Sequence, residues 1–177
     1  MNREKPGLII LDRDGTLIKH VNHLVDETLV QLIPGVGSNL KKLSDLGFEF
    51  AMATNQSVIA RELATEPKVQ KINQKVQKLL APFGVIISHI CICPHLPNSA
   101  CSCRKPNPGM GLEIFNSLGY DEKSSIMIGD NETDIQFADN LGISSIQFSE
   151  SGQFSFTATI NCSNWEEVYE AAIELLK

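Results

Sequence analysis

The chain has 177 residues, 42% of them hydrophobic, and a formal net charge of -6. That length and composition suit one domain over 1–177 with a single buried core. The acidic balance disfavours non-specific nucleic-acid binding, which needs a basic surface to displace counterions, and no apolar stretch approaches the ~18 residues of a membrane span.

The first apolar run, Gly7 to Leu11, reads as a strand buried on both faces and ends in Asp12-Arg13-Asp14-Gly15-Thr16. In open α/β sheets ligands lie just beyond the carboxyl ends of such strands, so Asp12 and Asp14 project toward a site. Period-two alternation points both the same way, and Gly15 lets the chain turn sharply after them. Two carboxylates so placed suit phosphoryl transfer, one attacking phosphorus while the other handles protons; an ordinary Asp-Gly turn would use the same residues. The segment Leu17 to Pro34 reads as a loop whose His20 and His23 are surface residues, not needed as ligands, with substrate contact the alternative because loops on this face form pockets.

Apolar residues at helical spacing run from Val36 to Leu46 and stop at Gly47. A strand over Glu49 to Ala53 then delivers Thr54-Asn55-Gln56-Ser57 to helix-compatible sequence. Thr54 and the N–H groups after it suit phosphate oxygens, because a helix N-terminus offers unpaired donors; a plain cap at Asn55 or Ser57 is the alternative. A helix over Val69 to Leu80 ends before Pro82, and a strand over Val85 to Ile92 leads into Cys93-Pro94-His95 and then Cys101-Ser102-Cys103. Cys93, His95, Cys101 and Cys103 form a Cys₃His set that closes around one Zn²⁺ with no open position, so the ion is structural. Cys91 lies on the same strand face and competes as a ligand, whereas Cys162 reads as a small core residue. Disulfides are disfavoured, since no secretory apolar core precedes or overlaps Asn2 to Pro6 and a reducing, cytoplasmic setting is expected.

Arg104-Lys105-Pro106 follows directly, where Lys105 is placed to neutralise a phosphate, although two basic loop residues are as readily a solvated surface. After a helix around Gly111 to Leu118, the strand Ser125 to Ile128 ends in Gly129-Asp130, with Asp134 four residues on. Mg²⁺ takes one or two carboxylates plus waters and phosphate oxygens, so Asp12, Asp130 and the backbone carbonyl of Asp14 suffice to hold it. Asp130 and Asp134 are otherwise helix-capping acids. A helix over Ile135 to Leu141, a strand over Ser144 to Phe148 and a last helix from the N-cap Asn164 to Leu176 complete the chain. The alternation predicts an α/β fold with a doubly wound parallel sheet.

The order Asp-x-Asp-Gly-Thr, Thr-Asn, Lys-Pro and Gly-Asp-x-x-x-Asp, each after a hydrophobic strand, resembles the haloacid dehalogenase superfamily of phosphatases. With the cysteine loop, the pattern is similar to that of the bacterial heptose bisphosphate phosphatases and of histidinol-phosphate phosphatase domains. Thr54 to Arg61 and Arg104 to Met110 resemble the heptose group; Asn131 stands where that group often has Lys, and Glu62 where it often has Gly. The resemblance covers about Gly7 to Phe148. It implies one phosphatase domain of haloacid dehalogenase-like, Rossmannoid fold, with a minimal cap and a zinc-binding loop.

It also implies a small sugar phosphate as substrate, catalytic Mg²⁺ and an aspartyl-phosphate intermediate. Asp12 would be the nucleophile and Asp14 the acid and base. Thr54, Asn55 and Lys105 would stabilise phosphoryl oxygens, Asp134 would orient Lys105 or the metal's water shell, and Arg104 would grip the rest of the substrate. Leu17 to Pro34 and the zinc loop would shield the site. Neither a membrane nor nucleic acid is expected as a partner, and a monomer is favoured. Histidinol-phosphate phosphatase is the alternative enzyme, and an inactive zinc-stabilised interaction scaffold the alternative of another class.

Overall fold

The computed structural model describes residues 7–176; Asn2 to Pro6, the segment weighed for a secretory signal, lie outside the described residues. Six strands form one sheet: β1 (Leu8–Leu11), β2 (Glu49–Asn55), β3 (Ile87–Cys93), β4 (Ser125–Gly129), β5 (Ser144–Phe148) and β6 (Ile160–Cys162). All neighbours pair in parallel, in the order β3-β2-β1-β4-β5-β6. Five helices, α1 (Val36–Asp45), α2 (Glu66–Leu80), α3 (Gly109–Leu118), α4 (Glu132–Leu141) and α5 (Trp165–Leu175), cover its two faces.

Strand alternation sorts the core into two layers. Ile9, Leu11, Phe50, Met52, Ile126 and Ile128 pack with residues of α1, α2 and α5, while Leu8, Ile10, Ala51, Ala53 and Met127 pack with residues of α3 and α4. Both faces are therefore apolar, which is why these strands read as continuous hydrophobic runs. The strand order reverses at β1, which has β2 on one side and β4 on the other, and such a switch point opens a crevice at the carboxyl ends. Leu11 is in register with Met52 of β2 and Ile128 of β4, so Asp12, Thr54 and Asp130 emerge side by side.

The doubly wound fold matches the sequence reading; α3 and α4 begin at Gly109 and Glu132, ahead of the expected Gly111 and Ile135, β3 spans Ile87–Cys93 and not Val85 to Ile92, and three further local differences stand out. Strand β6 was not expected; three residues with partial exposure give too short an apolar pattern to register. Helix α2 starts at Glu66, not Val69, because its first turn holds Glu66 and Pro67, residues suited to an N-terminus but outside the apolar repeat. No helix opens directly after Thr54: Ser57 to Leu63 forms turns, closed by hydrogen bonds such as Arg61 N to Ser57 O at 2.9 Å and Leu63 N to Val58 O at 3.0 Å. The segment folds back on itself because its carbonyls are capped locally before a helical run can begin. Asn164 does cap α5, its side chain accepting from Glu167 N at 3.0 Å.

Candidate active site

A cavity of about 330 Å³ opens at the switch point, lined by Asp12, Arg13, Asp14, Thr54, Asn55, Gln56, Arg104, Lys105, Asp130 and Asp134, with His20 and His23 at its exposed mouth. The backbone of Asp12 is pinned by its N–H to Ile128 O at 2.9 Å. Gly15, at φ +83°, turns the chain away immediately behind Asp14, and a Cβ there would run into the Asp130 carboxylate. Alanine at this position therefore meets both an unfavourable backbone and a steric clash. Gly15→Ala is expected to lower the melting temperature by several degrees, read by circular dichroism; an unchanged melting temperature would show that the Asp130 carboxylate swings aside without cost.

Lys105 sits at the floor of the cavity, only 2% exposed. Its ammonium donates to Asp12 Oδ1 at 2.6 Å and to the carbonyl of Ala53 at 2.6 Å, and pairs with Asp134 Oδ1 at 2.7 Å. Burial opposes its charge, but the Asp12 and Asp134 carboxylates overcome that and raise its pKa. Asn55 clamps the lysine from the backbone side: its Nδ2 donates to Lys105 O at 3.1 Å and its Oδ1 accepts from Lys105 N at 3.0 Å. Asp134 does two jobs, since its other oxygen accepts from Asn131 N at 3.1 Å and caps α4. Asp134 thus caps α4 with one oxygen and pairs with Lys105 through the other.

Asp14 is held by groups that the motif alone left without a role. Arg13, fully buried, places Nε 3.1 Å and Nη2 2.9 Å from Asp14 Oδ2, and its Nη1 donates to Asn73 Oδ1 on α2 at 2.8 Å. Gln56 Nε2 donates to the same Asp14 oxygen at 2.8 Å and to Thr54 Oγ1 at 2.7 Å. Asp14 Oδ1 is buried with no hydrogen-bond partner. The signal for Asn73 was present in the sequence as a polar residue inside the apolar face Val69, Ile72, Val76 of α2. Arg104 lines the cavity while its Nη1 donates to the carbonyl of His95 at 2.9 Å.

Oxygen atoms of Asp12, Asp130 and Asp134 lie within 4.8 Å of one another. Four carboxylates in the cavity wall face three cations, the buried Arg13 and Lys105 and the partly buried Arg104, which leaves a single negative excess suited to a divalent ion with hard oxygen ligands. Burial pushes Asp12 up to about 8, against the pull of Lys105 and with the help of Asp134, Asp130 and Asp14. Asp130 is pushed up to about 6 by burial and by Asp134. A carboxyl group whose pKa is raised on folding binds more protons folded than unfolded, so it costs stability as pH climbs from its ordinary value toward the raised one. Lys105, raised from an already high value, contributes nothing to this slope below neutrality. In magnesium-free buffer the protein is accordingly expected to melt at a higher temperature at pH 5.5 than at pH 8, and added Mg²⁺ to stabilise it most at pH 8. A melting temperature that climbs from pH 5.5 to 8 without magnesium would contradict this charge arrangement.

A second cluster lies behind Lys105. The sulfur of Cys93 is 3.5 Å from His95 Nδ1, 3.9 Å from Cys101 Sγ and 3.3 Å from Cys103 Sγ, and Cys103 Sγ is 3.3 Å from His95 Nδ1. A tetrahedral zinc with ordinary Zn–S and Zn–N bonds separates its ligand atoms by ~3.5–3.8 Å. The four side chains fit that ion, and all four cysteine and histidine ligands expected from the sequence are brought together. Cys91 is outside this set, its Sγ 3.7 Å from the carbonyl of Met110, and Cys162 is in the core.

An all-parallel, doubly wound sheet with aspartates and a buried lysine at its switch point is the architecture of the haloacid dehalogenase (HAD)-like hydrolases. A HAD-hydrolase-like family model matches residues 102–155. The chain is 38% identical over 144 residues to the D-glycero-beta-D-manno-heptose-1,7-bisphosphate 7-phosphatase of Haemophilus ducreyi, covering 76% of this chain and 78% of that protein. It is 34% identical over 166 residues to the histidine biosynthesis bifunctional protein HisB of Blochmanniella floridana, covering 92% of this chain but 44% of that protein. The chain thus spans less than half the length of the bifunctional relatives it matches. The crystal structure of D,D-heptose 1,7-bisphosphate phosphatase from B. bronchiseptica, complexed with magnesium and phosphate, superposes with a TM-score of 0.84 at 28% identity, over 95% of this chain and 98% of that one. The chain belongs to the family of HAD-like phosphatases that includes the heptose 1,7-bisphosphate 7-phosphatases. Among the described residues, no helix is long and apolar enough to cross a membrane.

Proposed function

We propose that this chain, as one phosphatase domain over 1–177, removes a phosphate from a small phosphorylated sugar, the 7-phosphate of a heptose 1,7-bisphosphate, through an aspartyl-phosphate intermediate. The observation that carries the reading is the buried Lys105 ammonium bridging Asp12 at 2.6 Å and Asp134 at 2.7 Å on the floor of a polar cavity. With Lys105 on Oδ1, the other oxygen of Asp12 is the one that attacks phosphorus in line, as the bond from phosphorus to the sugar oxygen breaks. Asp14 donates a proton to that leaving oxygen, then takes one from the water that attacks the phosphoaspartate, which releases inorganic phosphate and restores Asp12. Arg13 and Gln56 hold Asp14 by Oδ2 and so fix the orientation of its carboxyl group in the cavity wall.

Thr54, Asn55 and Lys105 face the equatorial oxygens, with Asn55 acting also through its clamp on the Lys105 backbone. Asp12, Asp130 and the Asp14 carbonyl would hold Mg²⁺, with Asp134 orienting Lys105 beside them. When bound, Mg²⁺ neutralises the carboxylates and the phosphoryl oxygens so that one anion can approach another. Arg104 lies at the rim, where it reaches the part of the substrate away from the reacting phosphate. The Cys₃His loop would hold a structural Zn²⁺.

A second reading, hydrolysis of histidinol phosphate, is favoured by the 34% identity to a HisB protein across most of this chain. Phosphate release with Mg²⁺ against both anomers of heptose 1,7-bisphosphate, hexose bisphosphates and histidinol phosphate separates the two. A heptose bisphosphate is expected to give the highest kcat/KM by at least tenfold. Preference for histidinol phosphate would replace the first reading with the second, and no turnover of any of them would leave the zinc-stabilised scaffold.

A further inference from the structure

Outside the cavity and the cysteine loop, one more set of metal-competent side chains converges. Strand β3 is the edge of the sheet, and its alternation puts His89, Cys91 and Cys93 on the face that packs against α3. From α3, Glu113 reaches back so that its Oε1 lies 3.1 Å from His89 Nε2. One donor atom each from His89, Cys91 and Glu113 lies within 4.8 Å of the other two. Zinc bound by nitrogen, sulfur and oxygen spaces its ligand atoms by ~3.4–3.8 Å, so small side-chain rotations bring these three to bonding positions.

The geometry points to a second metal site formed by His89, Cys91 and Glu113, open and exchangeable, for a borderline-soft divalent ion of the zinc class. The Cys91 thiol also reaches the Met110 carbonyl at 3.7 Å, so a rotation about its Cβ exchanges that contact for the point where His89 and Glu113 meet. A thiolate with an imidazole selects zinc-class ions over Mg²⁺ or Ca²⁺, which take oxygen. Three protein ligands leave a fourth position, and the side chains of His89 and Glu113 are 27% and 62% exposed, so that position faces solvent. The four-ligand loop is closed and retains its ion; this site is half open and gives its ion up. Cys91 and Cys93 are two residues apart on one strand face, so the two sites are neighbours that share β3 and no ligand.

Zinc content after equilibrium dialysis tests the assignment, in the wild type and in Glu113→Gln and His89→Ala. Both substitutions are at the rim of the fold and spare the buried Cys91. With excess Mg²⁺ present to occupy the carboxylates of the cavity, the wild type is expected to hold two equivalents of Zn²⁺ and to fall to one after mild chelation, whereas either variant holds one throughout. Cobalt(II) read in parallel should add one set of thiolate charge-transfer bands at the second equivalent in the wild type, absent from Cys91→Ser. A single, chelator-resistant equivalent in the wild type, or two in Glu113→Gln and His89→Ala, overturns the proposal. Failure of the cysteine loop to hold zinc would instead show as loss of the chelator-resistant equivalent, leaving the exchangeable one in place.

Discussion

Asp12→Asn is expected to abolish phosphate release, with a loss on the order of 10⁴-fold or more, while the protein stays folded and retains its loop zinc. The catalytic half of that expectation follows from position. Asp12 is fixed by its backbone N–H to β4 and by Lys105 on one carboxylate oxygen, and an amide has no anionic oxygen left to attack phosphorus. The stability half follows from electrostatics. Burial drives the Asp12 pKa up to about 8, which means the ionised nucleophile is held in the fold at a free-energy cost. Asparagine removes that cost and also the repulsion from Asp134, Asp130 and Asp14, while Lys105 keeps Asp134 at 2.7 Å as its counter-ion. The variant should therefore melt within a few degrees of the wild type or above it, the pattern expected when a site is built at the expense of stability. Melting followed by circular dichroism, with mass spectrometry to exclude deamidation back to aspartate, makes the comparison clean. Turnover within tenfold of the wild type in a verified Asp12→Asn sample would remove this residue as nucleophile.

What could be read before the fold was known divides along physical lines. Strands buried on both faces announce themselves as unbroken apolar runs, so β1, β2, β4 and β5 were visible, and with them the positions of Asp12, Thr54 and Asp130 at their ends. The residues expected to bind zinc are close in sequence, so Cys93, His95, Cys101 and Cys103 could be grouped without any tertiary information. Arg13 was different. Its letter sits inside the motif, yet its work is done with Asn73, sixty residues away on a helix that only the fold brings near. Gln56 likewise gains its role by pointing back at Asp14, 42 residues earlier. The turns after Ser57 escaped because helix propensity is a weak prior that local hydrogen bonds to Ser57 O and Val58 O override. Sequence locality thus decided legibility: contacts within a motif were readable, and contacts between motifs needed the sheet.

Cys103→Ser is expected to lose the loop zinc, to lower the melting temperature by about 6–12 °C and to reduce kcat/KM at least tenfold. The first effect follows from the ligand count, since removing one thiolate opens a closed tetrahedral set. For the second, a bound ion would cross-link Cys93 at the end of β3 to Cys103 across a short loop, and closing a loop of that length stabilises by about 3 kcal/mol in the manner of a disulfide. For a chain of this size each kcal/mol shifts melting by about 2–4 °C. The third effect is mechanical. Arg104 and Lys105 follow Cys103 directly, and the hydrogen bonds that brace this segment start from the same loop: Arg104 Nη1 to His95 O at 2.9 Å, Asn107 Nδ2 to Cys101 O at 2.7 Å and Gly109 N to Ser102 O at 3.0 Å. Freed from the ion, the loop no longer fixes the lysine backbone against Asn55, and a displacement of about 1 Å at a positioning group can cost 10²-fold in rate. Replacing the lost thiolate by an imidazole ligand with Cys103→His should recover part of the melting temperature and part of the rate together. Rate lost without any loss of zinc, or zinc lost without any loss of rate, would separate the metal loop from Lys105 and show that Asn55 alone suffices to hold the lysine in place.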